Sequence, residues 1–288
     1  MATISMQMPV RPVVRFGALL RAWRHRRRRS QLDLALDAEV SQRHLSFVES
    51  GRAVPSREVI LRLAEQLDVP LREQNTLLLA AGYAPLYAER PLGGPEMQAA
   101  RVIVDRILHA HLPHPALAVD RHWHMVTGNT AIAPLMLGVE DPALLAPPVN
   151  VLRLSLHPHG LAPRIANLVE WRGHLMERLR RQVVTSADPV LVSLHAELAA
   201  YSVSLAGSAA VGKATTYLPG GIAVPLELET AQGRLSLIST TTVFGTPTEI
   251  TLSELAIEAF YPADDATADR LARLQKAGKK SPGSRTSR

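Results

Sequence analysis

The chain has 288 residues, 47% hydrophobic and 20% charged, with no cysteine and a net charge of +6, long enough for two cores of ordinary size. Lack of cysteine excludes disulfides, thiolate metal sites and a cysteine nucleophile; lack of an apolar run of ~18–20 residues or a signal-peptide centre predicts a soluble cytoplasmic protein. The charge divides into +5 over residues 1–90, −4 over 91–274 and +5 from Gln275 onward, the pattern of a polyanion-binding module joined to a different body.

Residues 1–13 carry no periodicity and are expected to be disordered. Phe16, Leu19, Leu20 and Trp23 then recur at helical spacing, and that helix runs into the arginine run 26–29. Ser30 with Asp33 is close to a capping box, so a short helix is expected over 31–37, burying Leu32, Ala35 and Leu36. Ser41 caps a helix that reaches Ser50, and Gly51 suits a left-handed stop. Pro55-Ser56 opens the next, with Val59, Ile60, Leu63, Ala64 and Leu67 inward. Pro70 starts a fifth, with Leu77, Leu78 and Ala81 inward before Gly82. Residues 14–83 therefore read as an all-α module of five helices.

Two of those helices meet across a three-residue turn, which is a helix-turn-helix. At 100° per residue, Leu45 and Val48 point inward, leaving Gln42, Arg43, Ser46, Phe47 and Ser50 outside. Gln can bond adenine, Arg can bond guanine, and Phe can touch a thymine methyl. Gln31 and Ser41, at helix starts, are placed for phosphates, and Arg27, Arg28, Arg29 and Arg52 add backbone charge. Glu49 lies at the buried edge and is expected to bond the next helix. The segments Ser30-Gln-Leu-Asp-Leu-Ala, Ser41-Gln-Arg-His-Leu-Ser-Phe-Val-Glu-Ser-Gly-Arg52 and Pro55-Ser-Arg-Glu resemble the Xre/Cro-type helix-turn-helix family over residues 14–69. The resemblance implies operator binding as a homodimer on an inverted repeat. Glu39 departs from it, standing where many members have glycine.

Residues 84–95 break the helical pattern and read as a linker. Met97, Ala100, Val104, Ile107, Leu108 and His111 mark an amphipathic helix before Pro113. Strands are expected over 116–120 and 123–127, and a short helix from Thr130. Longer helices follow over 161–184 and 189–201, the latter capped by Asp188. Three β-rich runs follow, at 222–230, 234–244 and 253–261. Two strands, several helices and three strands make an antiparallel sheet with helices on one side, an α+β sensory layout with an apolar pocket between the layers. Residues 269–288 read as a basic flexible tail.

Three segments of this part resemble the MmyB-like ligand-binding domain of bacterial regulators: Val119-Asp-Arg-His-Trp-His-Met-Val-Thr-Gly-Asn129, Asn150-Val-Leu-Arg-Leu-Ser-Leu-His-Pro158, and the run from Phe244 to Glu258. That resemblance implies a PAS-like fold over 96–268 and a small apolar ligand such as a fatty acid. Candidate ligand contacts are Asn129, Asn150, Arg153, His157, Arg164 and Trp171, polar or aromatic groups among apolar neighbours; an arginine could hold a carboxylate through paired bonds. Asn167-Leu168 stands where the family often has Asn-Trp.

Other chemistry finds little support. Each of the pairs His109/His111, His122/His124 and His157/His159 is an incomplete metal site that no cysteine completes, so neither metal nor cofactor is expected. Residues 207–213 have phosphate-loop spacing, but Ala214 replaces the magnesium-holding hydroxyl and Pro219 blocks the helix that should follow. The sequence therefore predicts a regulator and not an enzyme. A small-molecule-modifying enzyme or a protein-interaction adaptor with a helical localisation head are the alternatives.

Overall fold

The computed structural model describes residues 15–202 and 223–278, which divide into two compact units, the first running to Glu89 and taking in Thr248–Ile250, the second holding the rest from Arg90 onward. Residues 1–13, the 207–213 loop and the last ten residues, each given a role above, lie outside the described residues. No helix among the described residues is long and apolar enough to cross a membrane.

The first unit holds α1 (Phe16–Arg26), α2 (Gln31–Asp37), α3 (Gln42–Glu49), α4 (Arg57–Gln66) and α5 (Leu71–Ala80). The Ser30, Ser41 and Ser56 hydroxyls accept from the amides of Asp33, His44 and Val59, at 3.1, 3.1 and 3.4 Å. Such caps stabilise a helix by about 1 kcal/mol each. Leu20, Trp23, Leu45, Val48, Ile60, Leu63, Leu77 and Leu78 meet in one core. In α2 the core residues are Leu34 and Ala35, whereas Leu32 and Leu36, expected inside, are 49% and 67% exposed. Seven residues are too few for periodicity to fix the phase of a helix, and packing against α3 and α4 sets it instead. Gly51 ends α3 at φ +74°, and Glu39 in the helix-turn-helix turn is left-handed at φ 53°. A Cβ on Gly17 would lie 2.5 Å from the Glu49 carbonyl, so only glycine lets α1 press against the end of α3.

The second unit opens with α6 (Gln98–Ala110) and is built on five antiparallel strands: β1 (Ala116–Val119), β2 (Met125–Gly128), β3 (Leu226–Leu228), β4 (Leu235–Val243) and β5 (Ala256–Pro262). Their order in the sheet is β2-β1-β5-β4-β3. The β4–β5 ladder runs from Leu237↔Pro262 to Val243↔Ala256. Helices α7 (Val151–Leu156), α8 (Leu168–Ser186), α9 (Pro189–Ala200) and α11 (Asp265–Gly278) cover one face; α10 is the single turn Ile250–Ser253. Alternation in β1 sends Leu117 and Val119 into the core shared with those helices. Ala116 and Ala118 join Val104 and Leu108 of α6 in a smaller core on the reverse face. The main helical layer is thus on one side, as expected, with α6 added behind β1 and β5.

Several boundaries differ from the sequence reading. Trp123 is left-handed (φ 68°), so it closes the turn, and β2 begins two residues later. The helix expected from 161 begins at Leu168, because Ile165 first bridges to Leu228 and the Asn167 amide clasps Pro225 O and Glu227 N. The turn α10 occupies the start of the expected last strand. Residues 269–278, assigned to the tail, are helical: Asp264 caps α11 through the Thr267 amide at 2.6 Å, and Leu271 is 2% exposed in the main core. Ile107, expected inward on α6, is 39% exposed.

Candidate DNA-binding surface and ligand cavity

The outer side of α3 presents Gln42, Arg43 and Ser50 to solvent, with Ser46 and Phe47 half-buried beside them. The guanidinium groups of Arg43 and Arg52 lie 5.4 and 5.0 Å from the Phe47 ring centroid. Attraction to the ring faces orders two otherwise mobile cations. Arg52 Nε also donates to Ser50 Oγ at 3.1 Å, and that hydroxyl donates to the Phe47 carbonyl. The result is a continuous edge of arginine, aromatic and hydroxyl groups along α3 and the turn that follows it.

Behind this edge lies a buried polar network. Arg24 Nε and Nη2 donate to the two Glu49 oxygens at 2.7 and 2.9 Å, Gln31 Nε2 donates to Oε2 at 2.8 Å, and Arg21 reaches the Glu49 carbonyl at 3.2 Å. Burial alone would raise the Glu49 carboxyl; the Arg24 and Gln31 hydrogen bonds and the charges of Arg24 and Arg21 outweigh it and hold the group below the usual carboxylate range. Glu49 is therefore structural as expected, but its partners are on the two preceding helices and not the next one. The Gly17 approach brings α1 within reach. Gln31 and Ser41, singled out for phosphates, use their side chains inside the unit, Gln31 on Glu49 and Ser41 as the α3 cap.

The arginine run is likewise divided. Arg27 donates to the Leu67 and Asp68 carbonyls, both at 2.7 Å, closing the end of α4, and Arg29 pairs with Asp37. Arg28 is exposed. Of the three expected to line a phosphate backbone, two are tied to their own domain: Arg27 because orphan carbonyls at a helix end take a nearby guanidinium readily, and Arg29 through the Asp37 carboxylate.

In the second unit a cavity of about 100 Å³ lies between the sheet and α7–α8. Leu117, Trp123, Ile132, Leu135, Leu152, Trp171, Leu175, Leu228 and Phe260 form most of its wall. Polar groups enter from Ser155, Ser239, Arg178 and Glu258. Arg178 grips the two Glu258 oxygens at 3.0 and 2.6 Å, donates to Thr241 Oγ1 at 2.6 Å, and lies 4.5 Å above the Trp123 ring. Ser155 Oγ accepts from Trp171 Nε1 at 3.1 Å, and Gln182 Oε1 accepts from Trp123 Nε1 at 2.7 Å. An apolar wall with one charge pair and two hydroxyls has the make-up of a small-molecule site.

Of the six residues singled out for ligand contact, Trp171 lines this cavity and the other five do not. Asn129 makes four bonds, to Leu108 O, His114 O, Ala116 N and Ala131 N, which saturate its amide. Asn150 caps α7 and donates to His122 O. Arg153 forms a paired bridge to Glu197, both bonds at 2.7 Å; that bridge, with the Tyr201 hydroxyl bond, keeps the Glu197 carboxyl below its ordinary range against burial. His157 stands edge-on to Tyr201 at 5.1 Å, and Arg164 spends its donors on the carbonyls of Leu135, Leu137 and Glu229. Arg178 and Glu258 were not among the expected contacts, though both carry a signal in the sequence. Arg178 continues the Trp171–Leu175 stripe one turn further. Glu258 shares β5 parity with Ala256 and Phe260, which pack on the main core.

Comparison with known families agrees with this division. Residues 15–77 match a helix-turn-helix domain model, and residues 100–274, more than half of the chain, match the MmyB-like transcription regulator ligand binding domain. No curated protein matches the chain. A DNA-binding head ahead of a ligand-binding body is the composition of a ligand-responsive transcription regulator. With its cavity and its helix-turn-helix in place, the chain belongs to the MmyB-like transcription regulator family.

Proposed function

We propose that this protein is a cytoplasmic one-component regulator of the Xre type that binds a specific operator as a homodimer and releases or tightens it when a small apolar ligand enters a PAS-like sensor. The observation that carries the DNA half is the outer edge of α3. Gln42, Arg43, Ser46, Phe47 and Ser50 read base edges in the major groove, while Arg28, Arg52 and the helix starts at Gln31 and Ser41 meet phosphates. Two heads on an inverted repeat would lie one helical turn apart, about 34–36 Å.

The sensor half rests on the apolar wall around Trp171 and Leu175. The cavity is about 100 Å³. A 150 Å³ apolar cavity holds benzene, so at about 100 Å³ this one takes only a group smaller than a benzene ring, and a larger ligand or an acyl chain requires the wall to open. That requirement is a switch in itself: a ligand that binds only the opened wall shifts the population toward it. A fatty acid would place its carboxylate at Arg178 in competition with Glu258. Retardation of a duplex from upstream of the protein's own gene tests the DNA half. Solvent extraction of the purified protein followed by mass spectrometry tests the ligand half, and recovery of no apolar molecule, with none bound on addition, sinks it.

A further inference from the structure

The three His-x-His pairs are incomplete as sequence, yet the fold completes one. We propose that Asp120, His122 and His124, at the turn between β1 and β2, form a binding site for a divalent first-row transition-metal ion. One ligand atom from each of the three lies within 4.8 Å of the others, and among the described residues this is the one cluster of three metal-ligating side chains.

The turn itself brings them together. Asp120 Oδ1 accepts from the backbone amides of both His122 and His124 at 2.8 Å, which fixes the loop. Between them Trp123 takes a left-handed backbone and buries its ring, leaving the flanking imidazoles 6.2 Å apart. The second oxygen of Asp120, Oδ2, is in hydrogen-bond contact with His124 Nδ1 at 3.1 Å. Two ligands of one tetrahedral ion, each about 2.0–2.2 Å from the metal, stand roughly 3.4 Å apart, so that pair already has metal-bound spacing.

His122 supplies the second line of support. Its Nε2 lies 2.9 Å from Asp188 Oδ2. A carboxylate there accepts the ring N–H and leaves the Nδ1 lone pair for a metal, the outer-shell arrangement that orients most histidine ligands. Asp188 is held in turn by the α9 amide of Val190 at 2.8 Å. Arg121, between Asp120 and His122 in the chain, is paired with Asp188 at 3.5 Å and Glu254 at 3.7 Å. Two imidazoles and one carboxylate suit zinc, nickel or copper and leave a position open for water. Because Trp123 also lines the ligand cavity, metal occupancy would stiffen one wall of the sensor.

Calorimetric titration of chelator-treated full-length protein with zinc chloride, repeated with nickel, tests the site. One ion per chain is expected. His122→Gln and His124→Gln should each weaken binding at least tenfold, and Asp188→Asn by tenfold to a hundredfold through the loss of ring orientation. Asp120→Asn keeps the turn acceptor and loses the anionic ligand, so it separates weak binding from a broken loop. Metal-free circular dichroism of each variant should match the parent. Replacing His157 and His159 together should change nothing. Absence of binding in the parent, or unchanged stoichiometry and affinity in the His122→Gln/His124→Gln double variant, overturns the proposal.

Discussion

Replacing Glu49 by alanine should strongly destabilise the DNA-binding head without touching its outer surface. The Glu49 side chain is fully buried and that of its partner Arg24 is 9% exposed. Deleting one member of such a pair leaves a buried charge with no counter-charge, which costs about 3–5 kcal/mol. A domain with a margin of ~5–15 kcal/mol loses much of it. Hydrogen exchange by mass spectrometry reads this in the intact chain, since peptides from 16–80 report the head alone. Amides protected by global opening should exchange roughly two to four orders of magnitude faster. The double replacement Arg24→Met/Glu49→Leu should cost less than Glu49→Ala, because a packed apolar pair avoids the desolvation problem. The pH dependence has a definite sign. The folded-state carboxyl lies below its unfolded value, so its stabilisation is complete above the unfolded value of ~4.3 and is lost as pH falls through the lower folded value. The double variant should lack that acid-sensitive component. A change of less than tenfold in Glu49→Ala, or strictly additive single and double effects, would refute the argument.

The other expectations are simpler. Arg43→Ala should weaken binding to the preferred duplex by about 1–3 kcal/mol, measured by fluorescence anisotropy, with the circular dichroism spectrum unchanged. Leu175→Ala, at a cavity-lining position 5% exposed, should cost about 2–5 kcal/mol in a urea titration and enlarge the cavity, with part of the loss recovered when a small apolar molecule fills it. Glu39→Gly should stabilise the head by up to about 1 kcal/mol, since φ 53° strains any residue with a Cβ.

The head was the more legible half because its signals are local. Serine caps, Gly51 and the Ile60–Leu63–Ala64 stripe each act within one or two turns of chain, and each appears where periodicity puts it. What the sequence could not convey was pairing across distance. Nothing near Arg24 announces that it faces Glu49, 25 residues away, or that Gly17 is small so that α1 can touch α3. The same limit governed the sensor. Asn129 and Asn150 looked like ligand contacts because polar residues stood in apolar runs, yet loop carbonyls and helix amides claimed them. Arg178 continues the Trp171–Leu175 stripe, but that its charge is matched inside the cavity depends on the sheet register, which brings Glu258 and Thr241 opposite it. The α11 helix was hidden by the basic residues beyond it, which made its apolar anchor Leu271 look like the edge of a tail.

DNA binding and cavity occupancy should be coupled, and one titration addresses both. Full-length protein, first as purified and then stripped of apolar molecules, is titrated by anisotropy onto a duplex selected from a random library and onto a scrambled duplex at the same salt. The selected duplex should be held at least ~10³-fold more tightly than the scrambled one, and stripping should change this affinity about 5- to 150-fold while leaving the scrambled duplex unaffected. Equal affinity for the two duplexes, or an affinity for the selected duplex indifferent to cavity contents, would contradict this.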